Sequence, residues 1–197
     1  IKRAIPTTLN ESLWGLGQTM YMSAIGHIGV TAYAAAQASH TIENVFIMAG
    51  FSIGDAALII IGAKLGEGDI GQSKEMAKKF VKMTVVIGVL AGLLMIILSR
   101  PVVGWFDFTS LGSEYAKKIL LVYGITLPLN LFNGVLVSGI LRSGGDTPFA
   151  AATEVCTVWL IGVPLAFLGA LLWHLPVYFV VLLVRTEDVV KGVILTV

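Results

Sequence analysis

The chain is 197 residues long, 56% hydrophobic and only 13% charged, with a mean hydropathy of +0.89. Soluble domains carry about 25% charge, so the composition excludes an ordinary soluble fold and points to a chain dissolved in lipid. A net charge of +1 offers no basic field for nucleic acid, and the lone Cys156 offers neither a disulfide framework nor a cysteine-based metal site.

No basic n-region followed by a short apolar core and a small-residue cleavage site opens the chain, so no signal peptide is expected. Position 1 is Ile and position 197 falls inside an apolar run, so the chain reads as a piece of something longer. Six membrane spans fit. The first covers residues 4–28, the second 34–63 and the third 80–98. The fourth, 119–141, runs 23 residues without one charge, enough to cross roughly 30 Å of hydrocarbon at about 1.5 Å per residue. A polar corner at 142–148 turns the chain back through the fifth, 149–172, which is apolar apart from Glu154. The sixth would run from Pro176 to the end, interrupted by the charged run 185–188. The expected fold is therefore an all-α, polytopic helical bundle.

On this map one side of the membrane receives Lys2, Arg3, Lys64, Lys74, Lys78, Lys79, Lys82 and Arg142, and the other only Arg100, Lys117 and Lys118. That bias places the N-terminus, a loop at 64–82 and the 142–148 corner in the cytoplasm, with Lys74–Lys82 readable either as a solvated helix start or as a lipid-headgroup contact. The connection at 99–118 would lie outside, its Trp105, Phe106 and Tyr115 at the level of an interfacial belt. Gly88 with Gly92, and Gly134 with Ser138, are small-xxx-small pairs that permit close helix approach.

Ionisable groups within spans are costly unless they face a cavity or a partner. Glu11 leads them, beside Asn10 on a polar line continued by Ser12, Gln18 and Tyr21. A shielded carboxylate tolerates its charge only near a cation, so proton, sodium and an organic cation can compete for one such site. The bland alternative keeps Glu11 at the cytoplasmic interface with Lys2 or Arg3. Asp55 is a second candidate ligand or a partner of Lys64; Glu43 is expected near the outer mouth and Glu154 at the cytoplasmic end of its span. His27 and His40 flank the outer turn and read as interfacial rather than as metal ligands. Pro128 kinks the fourth span between Tyr123 and the pair Asn130 and Asn133, whose amides share one face and fit either a cavity lining or interhelical hydrogen bonds. Pro164 is expected to kink the fifth. No phosphate-binding loop, His-Glu-x-x-His or Gly-x-Ser-x-Gly is present, so neither ATP nor hydrolytic chemistry is indicated, no cofactor is expected, and transport would have to draw on an ion gradient.

At these residues the chain resembles the multidrug and toxic compound extrusion (MATE) family of cation-coupled efflux transporters. The matching pieces are 6–17, 35–37, 51–54, the Gly62-Ala-Lys-Leu-Gly-Glu-Gly-Asp69 and Gly139-Ile-Leu-Arg-Ser-Gly-Gly-Asp-Thr147 corners, 159–169 and 175–178. They run in the family's order over essentially the whole chain. The resemblance implies the C-terminal six-helix lobe of a twelve-helix transporter in the cytoplasmic membrane, with the N-terminal lobe as its missing partner. It also implies alternating access and exchange of cationic amphiphiles for H+ or Na+, with Glu11 as the cation-coupling residue. Asn10, Tyr123, Asn130, Asn133, Asp55 and Gln37 would line the cavity. Trp14 stands where some branches place the acid of the first helix, and Leu131 where some carry a second carboxylate, so either coupling ion stays open. A flippase of lipid-linked precursors, which needs mid-span Arg or Lys for pyrophosphate where none is expected in this chain, and a non-transporting scaffold are the alternatives.

Overall fold

The computed structural model describes residues 4–196, with side chains from residue 8 onward. Lys2 and Arg3, which contribute to the expected charge bias, lie outside the described residues. The described residues fold as six helices: α1 Ala4–Gly26, α2 Val30–Gly66, α3 Ile70–Val103, α4 Ser110–Leu141, α5 Thr147–Leu172 and α6 Val177–Thr196. Helices α2 to α5 are each long and apolar enough to cross a membrane; α1 and α6 are not among them. Apolar side chains facing outward, such as Ile59, Leu90, Ile97 and Leu160, suit contact with lipid tails, while Met95, Leu120, Leu127, Val158 and Val180 fill the interior.

Two expected loops turn out to be helix. The lysine-rich stretch starts α3 at Ile70, because the Asp69 side chain accepts from the Gln72 N–H at 2.9 Å and caps the first turn. The Glu75–Lys79 pair at 2.7 Å then supports the exposed helix. Only a tight corner remains between α2 and α3, with Gly68 at φ 80°. The outer connection likewise shrinks, since α3 runs through Pro101 to Val103 and Thr109 caps α4 through the Gly112 N–H at 3.1 Å. The Gly-Gly-Asp corner between α4 and α5 is a turn, as expected, with Gly145 at φ 86°.

α3 lies against α4 at backbone distance. A Cβ on Gly88 would come within 2.7 Å of Pro128 Cα, and one on Gly92 would strike the Gly124 carbonyl. The Gly88–Gly92 pair therefore does the work expected of it. Gly134 does not, since nothing lies within 4 Å of its would-be Cβ; the close approach of α4 to α2 is made by Ser138 and Gly139 against Gly54.

Pro164 sits between widened turns of its helix, while the turns around Pro128 stay α-helical. Around Pro164, α5 has π-wound turns at Val158–Gly162 and Leu168–Leu172, where the Val163 N–H reaches back to the Val158 carbonyl. Proline cannot donate and its ring crowds the preceding turn, so the extra residue per turn relieves that crowding. In α4 the helix passes Pro128 and becomes π-wound over Val135–Leu141.

A buried charge cluster facing an acidic cavity

α6 is a continuous helix through the charged run that, in the sequence, reads as an interruption. Arg185, Asp188 and Lys191 follow one another at three-residue spacing and Glu187 stands four before Lys191, so all four fall on neighbouring strips of one surface. That surface turns inward. Glu187, Asp188 and Lys191 are buried, and Arg185 is 14% exposed at its side chain. Charges can occupy the helix because each finds a partner, across the bundle for Arg185, Glu187 and Asp188 and on α6 itself for Lys191.

Arg185 forms an ion pair with Glu43 of α2, which is fully buried, and reaches Asp188 Oδ2 at 3.4 Å. Its guanidinium lies 4.6 Å from the Tyr123 ring centroid. Asn130 Nδ2 donates to Asp188 Oδ2 at 3.2 Å, and Asn133 Nδ2 donates to the Asp188 backbone carbonyl at 2.8 Å. Tyr21 of α1 donates its hydroxyl to Glu187 Oε2, and the two meet directly over Gly162 of α5, where a Cβ would collide with both. Lys191 is held more loosely, 3.7 Å from Glu187 Oε1 and 4.0 Å from Asp188 Oδ1.

These groups form one wall of a cavity of about 290 Å³, lined by residues of α1, α2, α4, α5 and α6. Its lining carries six carboxylates, Glu11, Glu43, Asp55, Glu154, Glu187 and Asp188, against the three cations Arg142, Arg185 and Lys191. Trp14, Tyr21, Phe51 and Val181 supply apolar surface between them. Among the described residues no group of His, Cys, Asp and Glu is arranged to hold a metal ion.

Of the residues expected from sequence, Tyr123, Asn130, Asn133, Asp55 and Glu11 line this cavity. Glu11 sits at the rim, 55% exposed, and pairs with Arg142 Nη2 at 2.7 Å, so its cationic partner comes from the far end of α4. Asp55 is also exposed, and Lys64 pairs with Glu67 at 2.8 Å instead of with it. Asn10 is absent from the lining; it is buried between helices and donates to Glu154 Oε2 at 2.7 Å. Gln37 points away, exposed on α2. Glu43 is deep in the bundle rather than near an outer mouth, and His40 lines the cavity rather than only flanking a turn. The premise that no Arg or Lys stands mid-span fails at Arg185 and Lys191, although both face carboxylates already and neither is left over for a pyrophosphate. The α6 cluster was missed because its charges read as a break. The three-residue spacing of Arg185, Asp188 and Lys191 was the available signal.

The MatE family model matches residues 6–168. An uncharacterised transporter, YisQ of Bacillus subtilis, is 24% identical over 168 residues, covering 85% of this chain and 37% of its own length. Multidrug resistance protein MdtK of Edwardsiella ictaluri is 22% identical, covering 75% of this chain and 32% of its own length, and human multidrug and toxin extrusion protein 2 is 25% identical, covering 73% and 24%. The chain thus spans well under half of each relative. Among solved structures, an outward-facing multidrug resistance MATE family transporter of the MOP superfamily superposes with a TM-score of 0.86 at 18% identity, over 98% of this chain and 42% of that one. The bent form of the Vibrio cholerae MATE transporter VcmN gives 0.86 at 16% identity, over 97% and 43%.

Proposed function

The chain belongs to the MatE family, a family of transporters rather than enzymes and of multi-pass membrane proteins, and from that premise we propose that it is one lobe of an antiporter. In this reading a second, N-terminal lobe completes the cleft, and the two lobes alternate access across the cytoplasmic membrane with the N-terminus of this chain in the cytoplasm. Small cationic amphiphiles leave as H+ or Na+ enters. The observation that carries the reading is the acid excess of the cavity: six carboxylates against three cations, interleaved with aromatic and aliphatic surface, complement an amphiphile with a positive charge.

Glu11 has the position for a coupling residue at the mouth. Its carboxylate is within reach of water and bound to Arg142, and an arriving cation competes with that guanidinium. Gradient-driven efflux of a fluorescent organic cation from proteoliposomes holding the full-length parent protein tests both parts. Efflux under an imposed proton or sodium gradient is expected, with a marked fall in the Glu11→Gln variant. Absence of gradient-driven efflux in the parent sinks the antiport reading, and undiminished efflux in the variant removes Glu11 from it.

A further inference from the structure

The buried charges around α6 do not balance. Glu43, Glu187 and Asp188 face only Arg185 and Lys191, which leaves one negative charge over. Hydrogen-bond accounting locates it. Glu187 has Tyr21 on one oxygen and Lys191 beside the other. Asp188 has Asn130 and Arg185 on Oδ2, and Lys191 near Oδ1. Glu43 gives Oε1 to Arg185, but its Oε2 has no partner, in a side chain with no exposed surface on the cavity wall. A charged oxygen that is dry and unpartnered is among the costliest arrangements a protein can hold.

We propose that Oε2 of Glu43 is a proton-binding site, the proton making the five-group cluster neutral as a whole. The proposal rests on the transport reading of this cavity but assigns the proton to a residue that reading does not use. The reaction is a simple association, carboxylate plus proton giving carboxyl, with Oε1 still accepting from Arg185. A metal ion would need several oxygen ligands around it, whereas the other oxygen of this carboxylate already carries a guanidinium and no metal-holding group exists among the described residues. The titratable and charged groups that line the same cavity are Glu11 and Tyr21 of α1, His40 and Asp55 of α2, Tyr123 of α4 with Arg142 just beyond it, Glu154 of α5, and Arg185, Glu187, Asp188 and Lys191 of α6; α3 contributes none of its lining. An organic cation arriving beside the cluster brings the same single positive charge and releases the proton, which is one-for-one exchange by charge balance.

Difference infrared spectroscopy of the full-length parent protein in lipid films, stepped in pH, reads the carboxyl C=O stretch directly. The wild type is expected to show a protonated-carboxyl band that is lost in Glu43→Gln, shifted in frequency in Glu43→Asp, and confined to lower pH in Glu187→Gln and Asp188→Asn, each of which removes the surplus negative charge. Adding sodium at fixed pH should leave it unchanged, and adding a cationic dye should diminish it. Survival of the band in Glu43→Gln, an unmoved band in Glu43→Asp, or its removal by sodium overturns the assignment. Should Glu43→Gln fail to run as a single species on size-exclusion chromatography, the aspartate variant carries the test alone. Because no flux is measured, a parent that fails to transport would sink the antiport reading and leave this result standing.

Discussion

Arg185 bridges two helices that are 142 positions apart in sequence at its contact with Glu43, and its removal strands charge rather than merely deleting a contact. In Arg185→Ala, Glu187 and Asp188 face Lys191 alone and Glu43 Oε1 loses its guanidinium, and breaking a buried ion pair from one side costs about 3–5 kcal/mol. The full-length protein in detergent should lose thermal stability by that order, read from the temperature at which its monodisperse chromatographic peak disappears. Adding Asp188→Asn to that variant should recover part of the loss, because one stranded charge is gone; no recovery would mean that Arg185 stabilises by packing on Tyr123 instead. Gly162 is the other sensitive point. A single methyl there meets the Tyr21 hydroxyl and Glu187 Oε2, so Gly162→Ala should disrupt that hydrogen bond although both partners remain.

At the level of helices, the two glycine pairs make opposite predictions. Gly92→Ala pushes a methyl into the Gly124 backbone carbonyl, which cannot step aside as a flexible side chain can, so α3 and α4 must separate. Overpacking of this kind costs about 1–3 kcal/mol, visible as a lowered thermal midpoint. Gly134→Ala meets open space within its helix and should be neutral or stabilising by about 0.5–1 kcal/mol. Equal effects at the two positions would contradict the packing described. The same contrast marks what was legible beforehand. The α4–α5 hairpin announced itself because long uncharged runs have one physical solution in lipid, and the Gly145 turn and the distortion around Pro164 followed from backbone chemistry. The charged middle of α6 was misread, because a charge says nothing by itself about where its counter-charge lies. Glu43 and Arg185 neutralise each other only after folding, and no local pattern in either helix carries that information. Asn10 beside Glu11 misled in the other direction: neighbours on a helix face different ways, and one points at Glu154 while the other meets the rim.

At the scale of the whole molecule the decisive quantity is the field inside the cavity. Its lining carries an excess of three negative formal charges, and two of the acids, Asp55 and Glu154, lie outside both the ion-paired α6 cluster and the Glu11–Arg142 pair. Each charge about 10 Å from a bound cation, at an effective dielectric constant of about 20, contributes on the order of 1–2 kcal/mol. Neutralising one of them should therefore weaken binding of a cationic dye about tenfold. Glu154→Gln is the cleaner choice, since a glutamine carbonyl still accepts from Asn10 Nδ2 and the α1–α5 contact persists. Asp55→Asn samples the open side of the cavity, and the double variant should show losses that roughly add, because the two acids sit on different helices and share no hydrogen-bond partner. A neutral analogue of the dye must bind all variants alike, and raising the salt concentration must shrink the effect at exposed Asp55 more than at half-buried Glu154. Equal weakening of the neutral and charged ligands would show that the acids shape the cavity without setting its charge preference, and the acid excess would lose its role as the basis for selecting cations.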